Sequence, residues 1–87
     1  MPTTDIRKFR DLGAIIRAVR ESRGVRQSDL AEKLVISRHY LVDLEGGKSP
    51  LFITRLFRTL NALGIKVSVT YELRNTTISN DSNGTNG

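Results

Sequence analysis

Residues 27–45 constrain the fold of this chain most, because they carry the pattern of two short helices joined by a tight turn. Apolar side chains recur at helical spacing on both sides of the turn, and the small Ala31 stands where two helices must approach closely. The apolar set consists of Leu30, Leu34, Ile36, Leu41 and Leu44. Such a set packs two helices at a steep angle and leaves one face of the second helix free. The pattern predicts helices over about 27–34 and 37–45, with Ser37 as the N-cap of the second.

The exposed start of the second helix carries Arg38, His39 and Tyr40. In a helix-turn-helix, this end of the second helix enters the major groove of DNA. Arg38 can donate two hydrogen bonds to a guanine edge, His39 can contact a base or a phosphate, and Tyr40 can reach the backbone. The alternative is that the three form an ordinary solvated helix face. Asp43 shares this face and is expected to pair with His39 rather than read a cytosine.

Two further helix starts offer positions for phosphate groups. Gln27 and Ser28 open the first helix of the motif, where free backbone N–H groups and the helix dipole favour an anion. Their alternative role is capping. Lys48 lies in the loop before the next helix, another N-terminus able to hold phosphate. The predicted DNA-binding residues are Gln27, Ser28, Ser37, Arg38, His39, Tyr40 and Lys48.

The composition indicates a polyanion as partner. The chain has 87 residues, enough for one small domain, and a net charge of +5. All 14 Lys and Arg lie in residues 1–74, with 8 of the 9 acidic residues. A basic surface on a small domain is typical of proteins that bind nucleic acid.

Several other classes of protein are not expected. The chain has no cysteine, and its single histidine cannot hold a metal ion alone, so neither a disulfide nor a metal site is predicted. The sequence also lacks a membrane-spanning apolar run and a signal peptide. We therefore expect a cytoplasmic protein, associated with the nucleoid when bound to DNA. No nucleophile–base pair or phosphate loop stands out, so neither an enzyme nor a cofactor is predicted.

Two more helices flank the motif. Apolar residues at helical spacing predict a first helix over about 5–23, with Asp5 near its start and Gly24 as its C-terminal cap. A last helix is predicted over about 51–63. Ser49 is its predicted N-cap, followed by Pro50 at the first helical position, and a glycine follows its end.

Residues 65–73 alternate strictly between apolar and polar side chains, which predicts a β-strand. No second strand is predicted elsewhere in the chain, and a lone strand leaves backbone donors and acceptors unpaired. The same strand from a second copy, antiparallel across a two-fold axis, would pair them. We therefore predict a homodimer, with Val67, Val69 and Tyr71 at the junction. The alternatives are pairing with a different protein and a frayed end.

The sequence divides into three parts. Residues 1–64 are predicted to form the DNA-binding domain, 65–74 the dimerisation strand, and 75–87 a disordered polar tail that contains one aliphatic residue. The predicted fold is mainly α.

The motif region resembles the helix-turn-helix domain of phage repressors and XRE-type regulators. The resemblance rests on Leu12-Gly13, Ile16-Arg17, Arg20-Glu21, residues 27–31, Ser37-Arg38 and residues 44–48. It implies a lambda-repressor-like domain of four to five helices, a buried ion pair between Arg20 and Glu45, and a contact of Gln27 near the sugar-phosphate backbone. The family usually has glycine at the turn, where this chain has Val35. A β-branched residue at positive φ is unfavourable, which leaves the turn geometry open.

Residues 57–65 followed by the alternating strand resemble HipB-type antitoxins. This likeness implies an intersubunit sheet in a homodimer, inverted-repeat operator DNA, and a HipA-like Ser/Thr kinase toxin as partner. We therefore expect a dimeric repressor, the antitoxin of a HipBA-like pair. A stand-alone phage or restriction-modification regulator is one alternative, and an interaction module that does not bind DNA is another.

Overall fold

The structure is a computed structural model that describes residues 1–74. Four helices follow a short strand, and a second strand ends this part of the chain. The elements are β1 (Thr3–Ile6), α1 (Phe9–Ser22), α2 (Gln27–Leu34), α3 (Arg38–Glu45), α4 (Leu51–Ala62) and β2 (Val67–Thr70). The mainly helical fold and the extents of α2 and α3 confirm the sequence prediction. The tail at 75–87, predicted to be disordered, lies outside the described residues.

The N-terminus corrects two predictions. Helix α1 begins at Phe9 rather than near Asp5, because Thr3–Ile6 forms a strand. The Asp11 carboxylate accepts the backbone N–H groups of Arg7 and Lys8 at 2.9 and 3.1 Å, which stabilises the start of the helix after the strand. The prediction that the chain holds no partner for its C-terminal strand was wrong, since β1 pairs with β2 in antiparallel register.

One edge of β2 is paired within the chain and the other is not. Tyr71 donates its backbone N–H to the Pro2 carbonyl at 3.1 Å, just beyond the ladder that pairs Thr4 with Val69. Because donors alternate along an antiparallel strand, the N–H of Val69 also points at β1, and the N–H groups of Ser68 and Thr70 point away. The described sheet has only these two strands, so that outer edge lacks a backbone partner in residues 1–74.

The core lies where α1, α2 and α3 meet. Leu41 of α3 is completely buried, and Ala31 of α2 is 3% exposed. Gly13 is the buried residue of α1 and lies against the last turn of α3. These contacts fix the position of α3 relative to the other helices and leave its opposite face in solvent.

The start and the end of α4 lie close to the predicted positions. Pro50 is the N-cap of α4, one residue later than the predicted cap at Ser49, and Gly64 follows the helix at a φ of 71°. The helix has no fully buried residue, and Phe52 and Leu63 are 74% and 69% exposed. No helix within residues 1–74 is long and apolar enough to cross a membrane.

Candidate nucleic-acid interface

The first turn of α3 is exposed to solvent, and its N-cap and one buried side chain fix its position. The Ser37 hydroxyl accepts the backbone N–H of Tyr40 at 3.0 Å, so this side chain is used as an N-cap. The side chain of His39 is 85% exposed, and Arg38 and Tyr40 are also exposed. Because the buried Leu41 anchors the same turn, the three predicted groove-facing residues lie together on a fixed, exposed surface.

Asp43 lies between the side chains of His39 and Lys48 on this surface. Its Oδ2 is 3.6 Å from His39 Nε2 and 3.9 Å from Lys48 Nζ. The carboxylate therefore draws Lys48, from the loop after α3, toward the exposed face of α3. The Lys48 side chain remains 76% exposed and can still reach a phosphate.

A buried polar triad lies behind α3. Arg20 Nε and Nη2 donate to the two carboxylate oxygens of Glu45 at 2.6 and 3.0 Å, and Gln27 Nε2 donates to Glu45 Oε1 at 3.0 Å. Arg20 also donates to the Val25 carbonyl at 2.7 Å. The triad joins the end of α1, the start of α2 and the end of α3. It therefore helps to fix the orientation of α3 relative to α1 and α2.

The charges of the triad shift each other's pKa values. Burial raises the pKa of Glu45, but hydrogen bonds from Arg20 and Gln27, with the attraction of nearby arginines, lower it more, so the pKa lies below its ordinary value. The bond to Glu45 raises the pKa of Arg20. Both groups are thus charged at neutral pH, with side chains 9% (Arg20) and 2% (Glu45) exposed.

The two polar residues at the start of α2 have different environments. The half-buried Gln27 uses its amide in the triad, whereas Ser28 is exposed beside the free backbone N–H groups of the first turn. Arg26, just before the helix, pairs with Asp29 at 3.0 Å. Ser28 is therefore free to approach a phosphate, and Gln27 can do so only with the part of its amide that Glu45 does not use.

The turn between α2 and α3 keeps positive φ despite its valine. Val35 has φ 59° and ψ 44°, in the left-handed region, and its side chain lies in solvent. The Ile36 N–H still donates to the Ala31 carbonyl at 3.0 Å. Valine in place of the family's usual glycine therefore leaves the motif intact, but it strains the backbone of the turn.

The basic residues outside the motif were not among the predicted DNA-binding residues. The structure gathers four of them, Arg7, Lys8, Arg10 and Arg58, around one cleft between α1 and α4. Three of these basic residues lie within Arg7–Arg10, and this run was the sequence signal of the cluster. Arg58 is distant in sequence and joins the cluster only through the fold.

The family model for a helix-turn-helix domain matches residues 11–70. The chain belongs to the XRE-type helix-turn-helix family. This XRE-type regulator is 34% identical over 59 residues to an uncharacterized HTH-type transcriptional regulator, y4mF, of Sinorhizobium fredii, covering 68% of this chain and 78% of that protein. It is 40% identical over 57 residues to the immunity repressor of Bacillus phage phi105, covering 66% of this chain and 40% of that repressor. No solved structure gave a significant match.

Family membership settles the class of function. Members of this family are DNA-binding transcriptional regulators rather than enzymes, which agrees with the prediction from the motif. In residues 1–74, no group of three or more His, Cys, Asp or Glu side chains is arranged to hold a metal ion.

Proposed function

We propose that this XRE-type regulator is a repressor that binds an inverted-repeat DNA operator as a homodimer. The observation that carries the proposal is the exposed first turn of α3, which presents Arg38, His39 and Tyr40 above a fully buried anchor at Leu41. A helix held in this way can enter the major groove and place its N-terminal side chains on base edges.

Two surfaces support a second copy of the chain as partner. The outer edge of β2 carries the unpaired N–H groups of Ser68 and Thr70. Beside the strand, an apolar groove of about 330 Å³ runs along α1. Its apolar lining consists of Leu12, Ile15, Ile16, Val19, Val25, Leu30 and Val69. A two-fold axis at this edge would extend the sheet and cover the groove in both copies.

The predicted dimerisation residues already make contacts within their own chain. The side chains of Val67, Val69 and Tyr71 are half-buried, and the Tyr71 hydroxyl lies 3.2 Å from the Thr4 hydroxyl. Their contacts across a dimer axis would be added to these internal contacts. In the proposed dimer, the backbone hydrogen bonds between the two copies are made by Ser68 and Thr70 on the outer edge of β2.

Binding assays with selected DNA test the proposal. Sequences are first selected from a random duplex library, and affinities are then measured on the selected and a scrambled duplex. Arg38→Ala should lose about 1–3 kcal/mol per half-site on the selected duplex alone, whereas Lys48→Ala should weaken both and lower the salt slope by about 1. Lys33→Ala, an exposed cation at the end of α2, is the control.

The shape of the selected site tests the symmetry. Two half-sites with centres about 34 Å apart are expected for a two-fold dimer. If Arg38→Ala lost equal affinity for the selected and the scrambled duplex, Arg38 would contact only phosphate and would not read a base. A single asymmetric half-site occupied by one chain would contradict the homodimer.

The finer role is either that of an antitoxin or that of a stand-alone repressor. The succession of α4 and the alternating strand β2 supports the HipBA-like antitoxin with a kinase-like partner. The similarity to a phage immunity repressor supports the stand-alone regulator. The neighbouring open reading frame separates them: a kinase-like product that copurifies with this chain supports the antitoxin, and the lack of such a gene supports the stand-alone repressor.

A further inference from the structure

A second basic surface lies between the start of α1 and the middle of α4. Arg7, Lys8, Arg10 and Arg58 line a cleft of about 380 Å³, and no carboxylate is among the residues that line it. Within residues 1–74, none of these four cations forms an ion pair. The nearby carboxylate of Asp11 accepts backbone N–H groups at the start of α1 instead. The carboxylate of Asp11 attracts Lys8 and Arg10 from outside the cleft, and the cleft keeps a net positive charge.

Internal contacts hold the walls of this cleft together. Asn61 Nδ2 of α4 donates to the Arg7 carbonyl at 2.9 Å, which fastens the connection between β1 and α1 to the C-terminal end of α4. The Ser49 and Thr54 hydroxyls, 3.1 Å apart, lie at the other side. The cations thus surround a preformed concave surface that also offers hydroxyl groups.

The cleft continues the surface of the recognition helix. Gly47, in the loop after α3, packs so closely on Arg10 that a Cβ at position 47 would lie 2.7 Å from the Arg10 Cβ. A neighbouring cleft contains Tyr40 and Lys48 and shares Phe9 and Ser49 with the basic one. The basic cleft is therefore contiguous with the surface at the start of α3, through Phe9, Ser49 and the loop after α3.

The geometry points to a second nucleic-acid contact: the cleft of Arg7, Lys8, Arg10 and Arg58 binds backbone phosphates of the DNA that flanks each half-site. This inference rests on the proposed function and extends it to DNA outside the base pairs that α3 reads. Guanidinium groups bind phosphate oxygens in a bidentate manner, and such contacts carry affinity without sequence information. Continuity with the recognition surface favours the DNA backbone over a free phosphate compound.

Duplexes of two lengths test the inference. The core duplex ends with the selected inverted repeat, and the extended duplex adds about one helical turn of arbitrary sequence at each end. Binding is measured over a salt series for the wild type and for the double variant Arg10→Gln/Arg58→Gln. The control, Lys33→Gln/Arg55→Gln, removes the same charge at two exposed positions that line neither the basic cleft nor the apolar groove.

The cleft variant should lose affinity on the extended duplex and keep its affinity for the core duplex. Each lost phosphate contact lowers the slope of log K against log salt by about 0.9, so about 1.8 is expected per bound chain. The control should leave the difference between the two duplexes unchanged.

Three results would overturn the inference. Equal wild-type affinity for the two duplexes would show that flanking DNA is not bound, while the proposed function stands. Equal losses for the cleft and control variants would show only an effect of net charge. Saturable binding of inorganic phosphate that is lost in the cleft variant, without any effect of flanking DNA, would assign the cleft to a small anion. If no duplex could be selected at all, the proposed function itself would fail.

Discussion

Gly13 of α1 lies directly against the Leu44 carbonyl of α3, so close that a Cβ at position 13 would overlap this oxygen and lie 2.9 Å from the Glu45 carbonyl oxygen. Both atoms belong to the backbone and cannot move aside as a flexible side chain could. A glycine inside a helix costs about 1 kcal/mol relative to alanine. Here that cost permits the close approach of α1 to α3.

Gly13→Ala should therefore destabilise the protein although it raises helix propensity. Overpacking of this kind costs about 1–3 kcal/mol, more than the gain in propensity. Urea denaturation measures the change, and Ala18→Gly at an exposed site of α1 provides the propensity effect alone. A Gly13→Ala protein that is more stable than the wild type would show that the two helices can move apart without loss.

Removal of Arg20 should be costly because it leaves the Glu45 carboxylate buried without its main partner. Breaking a buried pair in this way costs about 3–5 kcal/mol. Arg17→Ala is the matched control, since Arg17 pairs with Glu21 at 3.2 Å on the surface of the same helix. Thermal melts of the two variants should differ clearly. Equal melting temperatures would mean that the pair contributes no more than a surface ion pair.

Stability should fall in acid because the pKa of Glu45 is lower in the folded chain than its ordinary value of 4.5. The contribution of the ionised carboxylate is complete above pH 4.5 and is lost as the pH falls through the lower folded value. Bonds from two backbone N–H groups lower the pKa of Asp11 in the same direction.

Denaturation curves of the wild type and Glu45→Gln between pH 7 and acid pH check this prediction. The Glu45→Gln variant should lose less stability on acidification than the wild type. Asp11→Asn gives the share of the half-buried Asp11 carboxylate. Parallel pH profiles for wild type and Glu45→Gln would exclude Glu45 as a source of acid sensitivity.

Val35→Gly should stabilise the protein. The left-handed conformation at φ 59° costs a β-branched residue about 1–3 kcal/mol, and glycine adopts it freely. Val35 is 89% exposed, so little apolar burial is lost, and the entropy of glycine in the unfolded chain reduces the net gain to about 1 kcal/mol. Val35→Ala, which keeps a Cβ, should gain less. A lower melting temperature for Val35→Gly would contradict strain at this turn.

Ser68→Pro should weaken the proposed dimer and leave the fold of each chain intact. Its N–H points away from β1, so proline removes a donor only from the outer edge of β2. Asp5→Pro is the matched control, because it alters the outer edge of β1 in the same way. Sedimentation of the three proteins gives their association. Dissociation by Asp5→Pro alone would place the dimer axis at β1, and a monomeric wild type at micromolar concentration would refute the dimer.

The sequence by itself determined those features whose causes are local. Apolar spacing defined α2 and α3, and Ser37 supplied the cap of α3. Strict alternation predicted a strand over 65–73, and the structure confirms the strand over the shorter range Val67–Thr70. Residues close along the chain produce these patterns, so they can be read without knowledge of the fold. The pairing of Arg20 with Glu45 came from family resemblance rather than from a pattern of this kind.

Tertiary structure decided what depends on residues distant along the chain. Thr3–Ile6 is too short to show alternation and becomes a strand because β2 offers it an edge more than 60 residues later, as in the pair Thr3 and Thr70. Val35 accepts a strained conformation because the packing of α2 on α3 fixes the turn. Arg58 meets Arg7 only because α4 folds back beside α1. Strand partners, tolerated strain and charge clusters arise from contacts across space, and a sequence pattern does not record these.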